Sequence, residues 1–248
     1  MVTTTNLVSY WNLDESSTGA GAVTRNDSHG SNHLTDTNTT ASATGKINDG
    51  ADFETANNEV LSIDDATQSG LDVTGNLSIS FWISYESLPA SGVDRFFIGK
   101  FGGAGNRAYG VGIFNDAGVH KIEWLISSNG STISSSLPVL SATPTLNQLY
   151  HYVIAYNTAG TTDFYVDNVA LTQATGMHTS IFNNNQDFQI GGITGAATKH
   201  DGIIDEVGIW SRTLSSGDVS DLYNGGSGLA YPFTAATPPN RLTLLGVS

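Results

Sequence analysis

Two adjacent carboxylates, Asp205 and Glu206, interrupt an otherwise apolar run, HDGIIDEVGIWSR, at residues 200–212. In a β-strand successive side chains alternate faces, so Ile203, Asp205, Val207 and Ile209 share one side while Ile204, Glu206, Gly208 and Trp210 share the other. Asp205 is then a charge among branched aliphatics, a position that demands compensation. Acid catalysis, ligation of a cation, or hydrogen bonds from backbone amides with pairing to Arg25 or Arg212 would each account for it. A second donor-rich stretch, RNDSHGSNH at residues 25–33, offers side-chain oxygens at Asp27, Ser28 and Asn32, and Gly30 lets a backbone carbonyl turn inward. Calcium takes roughly six to eight such oxygens; the alternative is a plain turn. The six histidines are scattered without zinc spacing. The Gly-rich FGGAGNR (101–107) has no helix start behind it and reads as a turn rather than a phosphate cradle.

Aromatic side chains beside polar ones are what a shallow saccharide site needs. In NLSISFWISY (76–85), Leu77, Ile79, Phe81 and Ile83 share one face and leave Trp82 with Ser78, Ser80 and Ser84. In LYHYVIAY (149–156), Tyr150, Tyr152, Ile154 and Tyr156 align, and in RAYGVGIF (107–114) Arg107 aligns with Tyr109. Trp82, Arg107, Tyr109, Tyr152 and Tyr156 are therefore the candidate ligand contacts. The competing reading packs them under loops with the tyrosine hydroxyls satisfied by backbone. Trp124, between Ile122 and Ile126, reads as core.

The elements that must position these residues are mostly strands. Period-two segments recur along the chain, among them LVSYWNL (7–13), RFFIGKF (95–101), VHKIEWLIS (119–127), TDFYVD (162–167) and DFQIGG (187–192), separated by turn signals such as Asn129-Gly130 and Asp167-Asn168. This predicts two sheets packed face to face. One helix is expected in SSGDVSDLYNGG: Ser215 and Asp218 form a capping box, Val219, Leu222 and Tyr223 make an apolar stripe, and Asn224-Gly225 ends it. A chain of 248 residues suits one all-β domain, expected over 1–233. The remainder, 234–248, reads as an extra edge strand or a docking tail. A net charge of −14 disfavours nucleic acid and anionic lipid and favours cations. Without cysteine, disulfides and thiolate metal sites are excluded. No apolar run is long enough to span a bilayer, and the opening MVTTTNLVSYW lacks the pattern of a secretory signal. A soluble protein of the extracellular space, a cell surface or a virion surface is expected, with no membrane insertion.

The string GIIDEVGIWSRTLSSGDVSDLYNGG (202–226) resembles the closing signature of laminin-G-like jelly rolls of the concanavalin A-like lectin and glucanase superfamily. LVSYWNLDESS, LSISFWI, FFIGKFG, YHYVIAYNTAGTTDFYVDNVAL and IGGITG agree in order, so the likeness covers residues 7–233. One departure is Asn168, where a glycine commonly follows the Asp of the YVD turn; Asn tolerates positive φ, so the turn should survive. The resemblance implies an antiparallel jelly-roll β-sandwich, commonly with one structural calcium. It brings the first and last strands together, which makes Asp27, Gly30 (through its carbonyl), Asn32 and Asp205 the expected ligand set. Laminarinase-type relatives carry catalytic acids as Glu-x-Asp-x-x-Glu, a spacing that Ile203-Ile204-Asp205-Glu206-Val207-Gly208 lacks. The expectation is a non-catalytic, calcium-stabilised module that recognises a saccharide or another surface ligand. The alternative is a structural or adhesion protein of a cell or virus surface whose tail contacts other subunits, with a glycoside hydrolase behind both.

Overall fold

The computed structural model describes residues 2, 4–194, 196 and 198–233, so the expectation for 234–248 lies outside the described residues. In chain order the strands are β1 (Leu7–Trp11), β2 (Thr35–Thr37), β3 (Ala41–Thr44), β4 (Asp49–Phe53), β5 (Val60–Ile63), β6 (Leu77–Ile83), β7 (Asp94–Phe101) and β8 (Arg107–Asp116). They continue as β9 (Val119–Ser127), β10 (Ile133–Ser136), β11 (Tyr150–Asn157), β12 (Thr161–Val166), β13 (Val169–Ala170), β14 (Ala174–Thr175), β15 (Phe188–Ile190) and β16 (Gly202–Trp210), followed by the helix α1 (Ser216–Tyr223).

Nine strands form one antiparallel sheet, ordered β13-β12-β11-β6-β16-β4-β3 with β1 also on β16 and β14 also on β12; seven form the other, β10-β9-β8-β7-β15-β5-β2. The expected all-β sandwich is the observed fold. Its core lies between the sheets and takes the faces that alternation assigns: Leu77, Ile79, Phe81 and Ile83 from β6 meet Phe97, Val111, Ile113, Ile122, Trp124 and Ile126 from the seven-stranded sheet. Asp167 and Asn168 both have positive φ, 50° and 64°, so the turn forms without its glycine.

The nine-stranded sheet is buried on its outer face as well. There Tyr10, Val153 and Trp210 pack with Leu214, Val219 and Leu222, and with Leu229, Tyr231 and Phe233. The helix that supplies this cover begins as the sequence predicts. Ser215 Oγ accepts from the Asp218 amide while the Asp218 carboxylate accepts from the Ser215 amide, and Asn224 ends the helix in the left-handed region at φ 48°. All seven residues of β6 are consequently buried. Ser215→Ala should lower unfolding stability by about 1 kcal/mol in urea titrations, the usual effect of losing such a cap.

Candidate functional site

The edge of β16 changes partner midway. Gly202–Ile204 pair with β4, and Val207–Trp210 pair with β1. At the changeover the register with β6 shifts between Asp205 and Gly208, and Glu206 adopts φ 50°. This bulge cancels the strict alternation expected from sequence. Ile204 and Val207 both enter the core, so Asp205 and Glu206 both point outward instead of to opposite faces.

Each carboxylate closes one side of the gap. Asp205, 0% exposed, accepts through Oδ2 from the Lys46 and Ile47 amides of the β3–β4 turn at 2.6 and 3.1 Å, and through Oδ1 from the Glu206 amide at 2.8 Å. Glu206 accepts from the Tyr10 hydroxyl at 2.5 Å and from Asn12 Nδ2 at 3.2 Å. Burial pushes Glu206 up to about 7, against the hydrogen bonds from Tyr10 and Asn12. Burial, then the neighbouring Glu206, raises Asp205 against its three amide donors. Neither arginine considered from sequence pairs with Asp205: Arg25 stands 4.0 Å from Asp36, and Arg212 binds Asp218 at 2.9 Å.

The 25–33 loop is organised in the same manner. Asp27 Oδ1 accepts from the amides of Tyr10, His29 and Gly30 at 2.9–3.0 Å, and Oδ2 accepts from the Asn32 amide at 3.0 Å. Gly30 therefore contributes its N–H rather than the expected carbonyl, and a Cβ there would lie 2.8 Å from Asp27 Oδ2. Asn32 ties the loop to Ser9 Oγ and to both backbone groups of Ser69. Asp27 and Asp205 thus face separate sets of N–H donors. That arrangement does not fit a calcium ion, which needs converging oxygen lone pairs and is repelled by aimed N–H groups. Among the described residues no group of three or more His, Asp or Glu side chains is placed to hold a metal.

Of the candidate ligand contacts, four are buried. Tyr109, Tyr152 and Tyr156 lie in the central core, their hydroxyls bonded to Leu71 O, Tyr85 Oη and His178 O. Trp82 does face outward with the serines, but it is 3% exposed, stacked 5.9 Å from Tyr223 of α1 with Lys46 Nζ 4.4 Å above its ring. The alignment of Arg107 with Tyr109 fails at a second bulge, where the register shifts between Lys100 and Phe101; Tyr109 turns inward and Arg107 outward.

Arg107 opens onto a cleft of about 670 Å³ on the outer face of the seven-stranded sheet. Phe96, Phe101, Leu125 and Ile193, all 2–8% exposed, form a buried cluster beneath it that is separate from the core, and the two phenyl rings lie 6.4 Å apart within 11° of parallel. Ile133 and Ser135 of β10 make one wall, and Ile193, Thr194 and Ala196 the other. Asp94 and Glu123 supply carboxyls, and burial, then Asp94, pushes Glu123 up to about 7. Glu123 Oε2 and Arg107 Nε are buried yet have no hydrogen-bond partner. Arg107 is held by a 2.7 Å bond from its guanidinium to Ser131 O, with its Cζ 5.9 Å from the centre of the Phe101 ring. Phe96 and Phe101 are not among the sequence candidates, and Glu123 in KIEWL reads from sequence only as a lone strand acid without the glucanase spacing.

Two antiparallel sheets with a cleft on an outer face define a lectin-like β-sandwich. Residues 48–220 match the family model described as the concanavalin A-like lectin/glucanases superfamily, and the chain belongs to it. In fold it is similar to the binding domain of Paraclostridial Mosquitocidal Protein 1 (15% identity, TM-score 0.66, covering 90% of this chain and 52% of that one). It is similar also to the botulinum neurotoxin serotype D ligand binding domain in complex with N-acetylneuraminic acid (15%, 0.63, 89% and 51%). A third similar structure is domain 4 of AbnA, a GH43 extracellular arabinanase from Geobacillus stearothermophilus, in complex with arabinotriose (17%, 0.58, 87% and 97%). The chain spans about half the length of the two toxin domains and nearly all of the arabinanase domain. Among curated proteins no sequence matches it.

Two stability predictions follow from the seam around β16. Asp205→Ala leaves three amides without their acceptor and should cost about 3 kcal/mol, equally in calcium and in chelator, by denaturant titration. The folded chain favours protonated Glu206 up to about pH 7 against an ordinary 4.5, so its contribution is complete below 4.5 and fades as pH rises through 7. Melting curves across that window should therefore fall less steeply for Glu206→Gln than for the parent.

Proposed function

We propose that the chain is a non-catalytic recognition module that works outside the cell and binds a saccharide in the cleft on its seven-stranded sheet. The observation that carries this reading is a cleft lined by both Glu123, with a buried unpartnered acceptor, and Arg107, with a buried unpartnered donor. Hydroxyl groups of a saccharide satisfy both a carboxylate and a guanidinium N–H. A buried polar atom without a partner is satisfied when a ligand completes it. Similar folds solved with arabinotriose and N-acetylneuraminic acid add support. A catalytic role has less: Asp205 and Glu206, the paired acids of the sequence, are consumed by structural hydrogen bonds, and the glucanase spacing is missing.

A glycan array with purified protein tests the reading. Retention of at least one saccharide, weakened about tenfold or more by Arg107→Gln and by Glu123→Gln with little change in melting temperature, is the expected result. Trp82→Ala should instead cost about 3–5 kcal/mol of stability, as removal of a buried indole does. An array that stays blank, or binding indifferent to both cleft substitutions, would refute the proposal.

A further inference from the structure

Glu123 stands where a carboxyl has no ready counterion. Across the sheet it lies opposite Gly112, and Gly112 opposite Phe96, so neither neighbour in that row offers it a donor side chain. The charged groups around it are bound elsewhere. On its own strand Lys121 Nζ donates to Asp116 Oδ2 at 2.7 Å, and His120, in unbroken register, faces the core side with Ile122 and Trp124. On β8 Arg107 donates to Ser131 O, and its place in the strand is roughly 16 Å from that of Gly112 at the usual rise. On β7 Arg95 donates to Ser87 O at 2.7 Å, and Lys199, beyond the 193–196 wall, donates to Ile193 O at 3.1 Å. β10 brings only Ile133 and Ser135, which carry no charge. What the cleft does set at this end is a second carboxyl, Asp94.

A carboxyl oxygen that is buried without a donor and lies near another acid is costly to ionise. Glu123 Oε2 is such an atom. Deepening the saccharide reading, on which it rests, we infer that Glu123 gates the cleft by pH: its ionised carboxylate holds the ligand by accepting from a hydroxyl, and proton uptake occupies that oxygen and lets the ligand go. The surroundings act in the same sense, since burial, then Asp94, pushes Glu123 up to about 7 in the free chain. A donating hydroxyl favours the charged form, so binding releases a proton, and by reciprocity added protons weaken binding. Affinity is therefore full above about pH 7 and is lost as pH falls through it. Arg107 stays charged across this range and takes no part in the change.

Two measurements test the gate. Carboxyl carbon NMR of the ligand-free chain, with the resonance assigned through Glu123→Gln, should show Glu123 titrating near pH 7 and at lower pH in Asp94→Asn; a midpoint at the ordinary 4.5 overturns the inference whether or not a saccharide binds. Calorimetric titration with lactose, cellotriose and arabinotriose, and with the neutral glycan that the array retains most strongly, should then give affinity about tenfold or more weaker at pH 5.5 than at pH 8. Repeating it near pH 7 in buffers of different ionisation heat should reveal proton release on binding. Glu123→Gln should bind weakly at both pH values alike. Equal affinity at the two pH values, tighter binding in acid, or a pH dependence that survives Glu123→Gln would each overturn the gate and leave the saccharide reading standing. A blank array together with no binding of any probe at either pH would overturn both.

Discussion

The structure depends on how the edge of β16 is completed. One strand cannot run the full length of that edge, because β4 serves its first part and β1 its last. A break in pairing at the centre of a buried sheet would leave backbone groups unsatisfied, which costs more than a lost hydrogen bond at the surface. Asp205 and Glu206 sit at this break. The bulge turns both outward, where one collects the amides of the β3–β4 turn and the other the side chains of Tyr10 and Asn12. The acids thus join the chain's N-terminal strand, its first hairpin and its final strand, segments about 160 to 200 residues apart in sequence.

That seam dictates which surface remains available. Tyr10 and Trp210, on either side of it, build the aromatic layer that Tyr231, Phe233 and α1 cover. With the outer face of the nine-stranded sheet occupied by the chain itself, the cleft lies on the outer face of the other sheet. There Gly110 of β8 carries no side chain, and Phe96, Phe101 and Ile193 close over it as the floor of a cleft that Arg107, Glu123 and Ala196 also line. Fold and site are therefore linked through coverage, one sheet sealed and the other left open.

Most of the fold was legible because it rests on local periodicity. The inward faces of β6 and β9, the capping box at Ser215 and the turn at Asn168 follow from residue order and hold in three dimensions. The site was less legible for two physical reasons. Alternation predicts faces only while the register is unbroken, and bulges at Asp205–Gly208 and between Arg107 and Tyr109 each reverse the assignment of a functional candidate. Facing outward is also not the same as being exposed: Trp82 obeys its alternation and is still buried, because α1, about 130 residues later, lies over it. Arg107 was selected for its alignment with Tyr109, an alignment the bulge removes, yet it lines the cleft.

Asp205 and Glu123 show how similar side chains acquire different roles. Both are strand carboxyls among apolar neighbours, and burial raises both. Asp205 accepts three backbone hydrogen bonds, so both of its oxygens are already occupied by fixed amides. Glu123 lies beside Asp94 with one oxygen buried and unmatched, so its solvation deficit remains unresolved in the free protein. A hydroxyl entering the cleft would relieve that deficit, and the relief adds to binding rather than to folding. In this chain the acid left with an unfilled acceptor is the isolated one on β9, while the conspicuous pair on β16 holds the sandwich together.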